Sequence, residues 1–280
     1  MAINKSKTLY AFDLDGTLLH SSAQMSEFTK DVLNRLIERG HHVTVATGRS
    51  ESTVFNKISG VNIKLPIVLL NGVMVYNMQS RAYERVVELD KNCAELLLET
   101  ISSNGVTGFV FVYENDDLNV YYENLDDESR KVFHDERSGQ NGKYYKQIDS
   151  FSLLKERDIV YFVTSGERSH LESVRLELQN DKRFSLEFYS DMYGADDWFL
   201  EIGGVEASKF YGIKYLREKY GYDYVIAFGD NLNDIPLFKA ADESYATANA
   251  KDELKAVATG IIGCNDDDAV AKWLEENILR

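Results

Sequence analysis

The apolar run Leu9-Tyr10-Ala11-Phe12, ending in Asp13-Leu14-Asp15-Gly16-Thr17, constrains this chain more than any other stretch. The run reads as a strand, and on an extended backbone residues two apart share a face. Asp13 and Asp15 then look into one cleft while Leu14 turns away. Gly16 allows the chain to bend sharply after them. In an open parallel sheet the carboxyl end of a strand is where ligands bind, so two carboxylates at that position propose chemistry. A solvated strand-to-loop junction would also place aspartates here, because Asp is common in turns. A calcium loop of the D-x-D-x-x-G kind is ruled out: the first glycine falls one step after the second Asp, and Gln24 stands where the bidentate Glu is required.

A length of 280 residues exceeds a usual single core and predicts about two domains. With 44% hydrophobic residues and only 2 prolines, a compact globular protein is expected. The 31 basic side chains against 46 acidic ones give a net charge of −15. That balance disfavours nucleic acid and anionic membranes as partners, and no protein partner is evident. Cys93 and Cys264 are too few for a disulfide framework or a zinc site, and they read as free thiols in a reducing compartment. No apolar run reaches transmembrane length, and the N-terminal one is too short for a signal peptide, so a cytoplasmic protein is expected.

Along the chain, Phe28, Val32, Leu33, Leu36 and Ile37 recur at helical spacing between Ser26 and Gly40. Val43 to Ala46 reads as the next strand, stopping at Thr47-Gly48-Arg49. Thr47-Gly48 is compatible with an ordinary turn, and Arg49 with either a substrate contact or an exposed salt bridge. Ile67 to Leu70 and Val73 to Tyr76 flank Asn71-Gly72, a hairpin signal in which Asn71 reads as turn chemistry. From about residue 84 strand pairs and helices predict an antiparallel sheet with helices packed on it, including strands at 109–113, 120–122, 159–163 and 184–189. Residues 126–142 read as polar and exposed. Strand–helix alternation resumes with Phe199 to Ile202, so an insert at 84–193 is expected between core segments 1–83 and 194–280.

Lys209 lies in the first turn of a helix expected over about 207–220, where a cation opposes the helix dipole by a few tenths to about 1 kcal/mol. An exposed lysine tolerates that, and because a first-turn lysine contributes little or negatively to its own helix, its removal should weaken turnover of a phosphate ester severely while leaving the fold nearly intact. The other reading is that Lys209 and the helix amides face an anion. Val225 to Phe228 is a strand ending in Gly229-Asp230-Asn231-Leu232-Asn233-Asp234, with Pro236 suited to an early helical position. Hard oxygen ligands crowded at a strand end suit magnesium, although Asn233 or Asp234 can also cap a helix. Asp266-Asp267-Asp268 reads as a helix start.

Asp13, Asp15, Thr47, Lys209, Asp230 and Asn233 all fall at strand ends or helix starts on one expected edge. Asp-x-Asp-Gly-Thr, the Thr after the second strand, the Lys opening a later helix and Gly-Asp-Asn-x-Asn-Asp resemble the four motifs of the haloacid dehalogenase-like phosphohydrolase superfamily. The insert between the second and third motifs resembles the α/β cap of its Cof-type subgroup, whose members are mainly magnesium-dependent sugar-phosphate phosphatases. The resemblance implies an α/β doubly wound parallel-sheet core, Rossmann-like, with an inserted α+β cap. It implies a phosphatase of small phosphorylated metabolites that uses Mg2+. Asp13 would attack phosphorus to form an aspartyl-phosphate, and Asp15 would serve as acid and then base. The side chains of Asp13 and Asp230 and the main-chain carbonyl of Asp15 would hold the metal. Thr47, Gly48, Lys209, Asn233 and the amide of Leu14 would hold the phosphoryl group, with Asp234 orienting Lys209 or a metal-bound water. Two departures stand out: Phe210-Tyr211 where Gly usually follows the Lys, and Asp267-Asp268-Ala269-Val270 where Asp-Gly-Val is usual. A phosphomutase shares the aspartyl-phosphate and remains an alternative. So does a non-catalytic phosphate-dependent sensor, although a switch gains nothing from an acid at Asp15.

Overall fold

The expected first strand forms as β1 (Thr8–Phe12), buried at every position, in a computed structural model that describes residues 7–139, 145–190 and 197–280. Contacts divide the chain into two compact units, the first reaching Arg85 and resuming at Ser208, the second spanning Val86–Ala207. In chain order, β1 is followed by α1 (Glu27–Glu38), β2 (His42–Val45), α2 (Glu51–Lys57), β3 (Ile67–Leu69), β4 (Met74–Asn77) and β5 (Ala82–Val86). Next come α3 (Lys91–Ser103), β6 (Phe109–Glu114), β7 (Asp117–Tyr122), α4 (Glu128–Arg137), β8 (Tyr145–Gln147), β9 (Ile159–Glu167), α5 (Arg168–Leu178), β10 (Phe184–Ser190) and β11 (Asp197–Gly204). The chain then returns with α6 (Lys209–Tyr220), β12 (Tyr224–Gly229), α7 (Ile235–Ala240), β13 (Glu243–Ala246), α8 (Asp252–Lys255), β14 (Gly260–Ile261) and α9 (Ala269–Leu274).

The main sheet of the first unit runs β14-β13-β12-β1-β2, and every pair in it is parallel. A parallel bridge between Ala46 and Val68 places β3 beyond β2. Leu9 to Phe12 and Val225 to Phe228 are all fully buried, as strands covered on both faces must be. Phe12 lies opposite Phe228, their rings stacked at 5.0 Å. Connections leave β1 toward β2 and leave β12 toward β13, so the sheet has its switch point between β1 and β12. A crevice for ligands opens beyond the carboxyl ends of strands at such a point. Helix α1 packs Val32, Leu33, Leu36 and Ile37 into this unit. Its start is capped by Ser26, whose Oγ accepts from the Thr29 amide at 3.0 Å, a contact worth about 1 kcal/mol.

The expected hairpin around Asn71-Gly72 forms, with Leu69 opposite Met74, and β5 extends it to a three-stranded sheet. Its turn is unusual, because Leu70, Asn71 and Gly72 have φ of 47°, 51° and 100°.

The second unit is a six-stranded sheet ordered β10-β11-β9-β6-β7-β8, antiparallel apart from the β7–β8 pair. Its core joins Leu97, Leu98 and Ile101 of α3 and Leu171, Val174 and Leu178 of α5 to Val110, Phe162, Leu200 and Ile202 of the sheet. One expectation is corrected here. Phe199 to Ile202 is not a strand of the first unit: β11 pairs antiparallel with β9 and β10, and the second unit therefore extends to Ala207. A short apolar run reveals a strand but not its partner. The expected boundary at 193/194 itself lies outside the described residues. The polar stretch from 126 contains α4, capped by Asp127, with none of its residues buried; the end of that stretch, at 140–142, is likewise outside them. Among the described residues no helix is long and apolar enough to cross a membrane.

Candidate active site

The ends of β1 and β12 lie side by side because the Asp13 amide still donates to the Phe228 carbonyl, at 3.0 Å. Asp13 and Asp230 are thereby brought together, both buried. Thr17 Oγ1 donates to Asp230 Oδ1 at 3.0 Å, which uses the last residue of the first motif to orient the fourth. Gly16 is left-handed (φ 77°), and a Cβ there would overlap the Asp230 carboxylate. The glycine thus serves as both bend and clearance. Among the described residues Asp230 Oδ2 is buried without a hydrogen-bond partner, an arrangement that costs free energy unless something else meets that oxygen.

Lys209 Nζ donates to Asp13 Oδ1 and to Asp234 Oδ1, each at 2.6 Å. Its side chain is 0% exposed, which excludes the exposed-lysine reading and corrects the expectation that the fold hardly depends on Lys209. Two buried carboxylates outweigh an unfavourable dipole contribution of about 1 kcal/mol at most. Phe210 and Tyr211 do not obstruct this, since they are partly exposed while Lys209 points inward. Asp234 Oδ2 accepts from the amides of Asp230 (2.9 Å) and Asn231 (3.1 Å). Both Asp234 oxygens are therefore taken. Asn231, not Asn233 or Asp234, is the residue that caps the following turn, in a reciprocal box with Asp234.

Thr47 is buried, and its backbone is fixed by bonds from its amide to Val68 and to its carbonyl from the Asn71 amide, each 3.0 Å. Asn71 is also buried. Its Oδ1 accepts from Asn233 Nδ2 at 3.2 Å, and its side chain lies where a Cβ on Gly48 would touch it, at 3.3 Å. The left-handed turn thus links the second and fourth motifs, a role that the turn signal of Asn-Gly concealed. Gly72 is required by the third: a Cβ on it would overlap the Ser208 carbonyl, one residue before Lys209. Leu14 is fully buried, and its carbonyl accepts from the amides of Thr17 and Leu19 at 3.2 and 2.8 Å. Asp15 is half-buried and is gripped by Arg49, Nε to Oδ2 at 2.7 Å and Nη2 to Oδ1 at 2.6 Å. Of the two readings of Arg49, the salt bridge is the one present, but it sits inside the site.

Carboxylate oxygens of Asp13, Asp230 and Asp234 lie within 4.8 Å of one another. Burial, followed by the charge of Asp234, pushes the Asp13 carboxyl well above the usual range even though Lys209 opposes this. Burial and the charge of Asp13 do the same to Asp230. Burial would lower the pKa of Lys209, but Asp13 and Asp234 reverse that and hold the ammonium charged. Two carboxylates forced toward neutrality, one with an orphaned oxygen, fit a hard divalent cation. Because Asp234 is fully engaged, Asp13 and Asp230 are the side chains with oxygens to offer it.

Fold and site together define an α/β protein with a cluster of buried carboxylates at the carboxyl edge of a parallel sheet, its chain interrupted by a second, mainly antiparallel unit. The chain belongs to the haloacid dehalogenase-like hydrolase family, whose profile matches residues 10–274. It is 27% identical over 277 residues to the 5-amino-6-(5-phospho-D-ribitylamino)uracil phosphatase YitU of Bacillus subtilis, covering 96% of each chain. To the pyridoxal phosphate phosphatase YbhA of Escherichia coli it is 24% identical over 283 residues, covering 96% of this chain and 98% of that one. A solved haloacid dehalogenase-like hydrolase from B. subtilis shares the fold with a TM-score of 0.79 at 23% identity, over 96% of this chain and 99% of that one. The chain is accordingly a phosphoric monoester hydrolase of this family.

Proposed function

We propose that this protein is a magnesium-dependent phosphatase that hydrolyses small phosphomonoesters, sugar phosphates or related metabolites, through an aspartyl-phosphate on Asp13. The observation that carries the reading is the buried Asp13 carboxylate, fixed by Lys209 at 2.6 Å beside an Asp230 oxygen that has no hydrogen-bond partner among the described residues. A carboxylate held by one donor keeps its other oxygen for attack on phosphorus. In the first step an Asp13 oxygen bonds to phosphorus, the bond to the leaving oxygen breaks, and Asp15 gives that oxygen its proton. In the second, Asp15 takes a proton from water, water oxygen bonds to phosphorus, and the Asp13–phosphorus bond breaks to release inorganic phosphate.

Thr47, Gly48, Lys209, Asn233 and the Leu14 amide are assigned to the phosphoryl oxygens. Magnesium, held by Asp13, Asp230 and the Asp15 carbonyl, would supply the positive charge that a phosphate dianion needs among these carboxylates. Asp234 orients Lys209. The named substrates of YitU and YbhA are both small phosphomonoesters with unrelated leaving groups, which supports a shared reaction rather than a particular substrate. The test is release of inorganic phosphate from a panel of phosphorylated sugars, nucleotides and cofactors with magnesium present. Turnover without a bisphosphate activator, lost for every substrate in Asp13→Asn, is expected. Phosphate transfer that requires a bisphosphate would make the protein a mutase, and turnover by Asp13→Asn would remove the aspartyl-phosphate.

A further inference from the structure

Arg49 follows the second motif and has no part in the phosphoryl site assigned above. Among the described residues, both hydrogen bonds accepted by the Asp15 carboxylate come from Arg49, in a two-pronged fork at 2.7 and 2.6 Å. The Asp15 side chain is one-third exposed and that of Arg49 one-fifth, so the pair is shielded from solvent only in part. Backbone contacts fix the arginine in turn. Its amide donates to Thr47 Oγ1 at 3.1 Å, and its carbonyl accepts from the amide of Leu70 at 3.1 Å. Leu70 opens the left-handed turn whose next residue, Asn71, meets Asn233. A branched residue at positive φ costs of order 1–3 kcal/mol and persists where surroundings impose it. That cost secures a backbone which aims a rigid guanidinium at one carboxylate.

We propose that Arg49 is the positioning residue for Asp15, holding the carboxylate at the angle from which it serves the leaving group and the attacking water. The proposal rests on the phosphatase reading. Its physical basis is that an aspartate next to a glycine bend has two side-chain torsions to search, and proton transfer demands a narrow range of them. The planar fork restricts both torsions at once, which a lysine, a point charge on a flexible stem, cannot do.

The leaving group provides the readout. An alkoxide leaving from a sugar phosphate needs a proton, whereas an aryl oxide such as 4-nitrophenolate leaves without one. General acid catalysis contributes about 10²–10⁴-fold where it operates, so misplacing the acid should cost alkyl esters at least about tenfold more than aryl esters. The experiment compares wild type, Arg49→Ala, Arg49→Lys, Asp15→Asn and the Arg49→Ala/Asp15→Asn double variant, each with an alkyl and an aryl phosphate and with folding checked by circular dichroism. Arg49→Ala should lower the alkyl-to-aryl ratio of kcat/KM at least about tenfold, and Arg49→Lys should recover only part of it. In the Asp15→Asn background Arg49→Ala should change nothing further. Equal losses for both esters, or the same loss with and without Asp15, would overturn the proposal, as would a rise in KM at constant kcat. If Arg49→Ala does not fold, Arg49→Lys gives the same ratio test. Absence of phosphatase activity in the wild type would count against the underlying reading instead.

Discussion

Replacing Lys209 by methionine removes one charge and keeps most of the volume. The ammonium it removes is fully buried between Asp13 and Asp234, each at 2.6 Å and each nearly or fully buried. Because the group is not solvent-screened, the relevant magnitude is that of breaking a buried pair, roughly 3–5 kcal/mol. For a unit of this size that corresponds to a fall in Tm of roughly 10 °C. The sign of the pH dependence follows from Asp13, whose folded-state pKa is already raised by burial and by Asp234 and is restrained by Lys209. Without Lys209 it rises further. A carboxyl with a raised folded-state pKa contributes stability that is present below its unfolded value and lost as pH rises through the folded one. The penalty of Lys209→Met should therefore be small near about pH 5, where Asp13 is protonated in both proteins, and should grow once pH passes the wild-type value of about 7, so that it is clear near about pH 9. Thermal unfolding by circular dichroism at both pH values, without divalent cations, measures it. A Tm within about 2 °C of wild type at the higher pH would refute the claim that the buried triad holds the site together. Turnover should fall by roughly 10²–10³-fold, the usual cost of one oxyanion donor.

Magnesium at about 100 times its dissociation constant should stabilise the protein by about 2.7 kcal/mol, a gain that Asp230→Asn should abolish in the same melting assay. Calcium should bind yet inhibit, since its larger and more flexible shell can engage both Asp13 oxygens; full turnover with calcium alone would contradict this. Gly72→Ala should destabilise by more than about 1 kcal/mol and reduce kcat, because an alanine at positive φ is strained and its Cβ would overlap the Ser208 carbonyl; wild-type stability would show that the turn can shift freely. Asn71→Ala should raise KM for every phosphomonoester alike by releasing Asn233, and a change confined to one leaving group would contradict that.

Where the sequence alternates strand and helix, its pattern sufficed to identify the sheet, since runs such as Leu9 to Phe12 and Val225 to Phe228 are apolar throughout only when both faces are covered. The same pattern failed at Phe199 to Ile202. That run alternates Phe, Leu, Glu and Ile, and nothing in four residues tells a parallel core strand from an antiparallel one. Helix α4 escaped notice for a related reason: with no buried residue it has no apolar stripe to read, and its cap at Asp127 was the only local signal.

The site was legible where a residue type has few other uses at its position and obscure where it has many. Aspartates two apart at a strand end are such a signal, and so is a lysine in a first helical turn. Asn71 and Arg49 carried equally specific geometry under ordinary signatures, a hairpin turn and a surface charge. Their roles depend on pairings across the fold, Asn71 with Asn233 at 3.2 Å and Arg49 with Asp15 at 2.6 Å, between segments remote in the sequence. The electrostatics are equally non-local. A chain with net charge −15 concentrates Asp13, Asp15, Asp230 and Asp234 at one edge and answers them with Lys209 and Arg49, both already committed to carboxylates. Neither cation has its full charge left for a phosphate dianion, which is the electrostatic argument for the proposed magnesium ion. Such an ion would make a strongly acidic chain compatible with an anionic substrate.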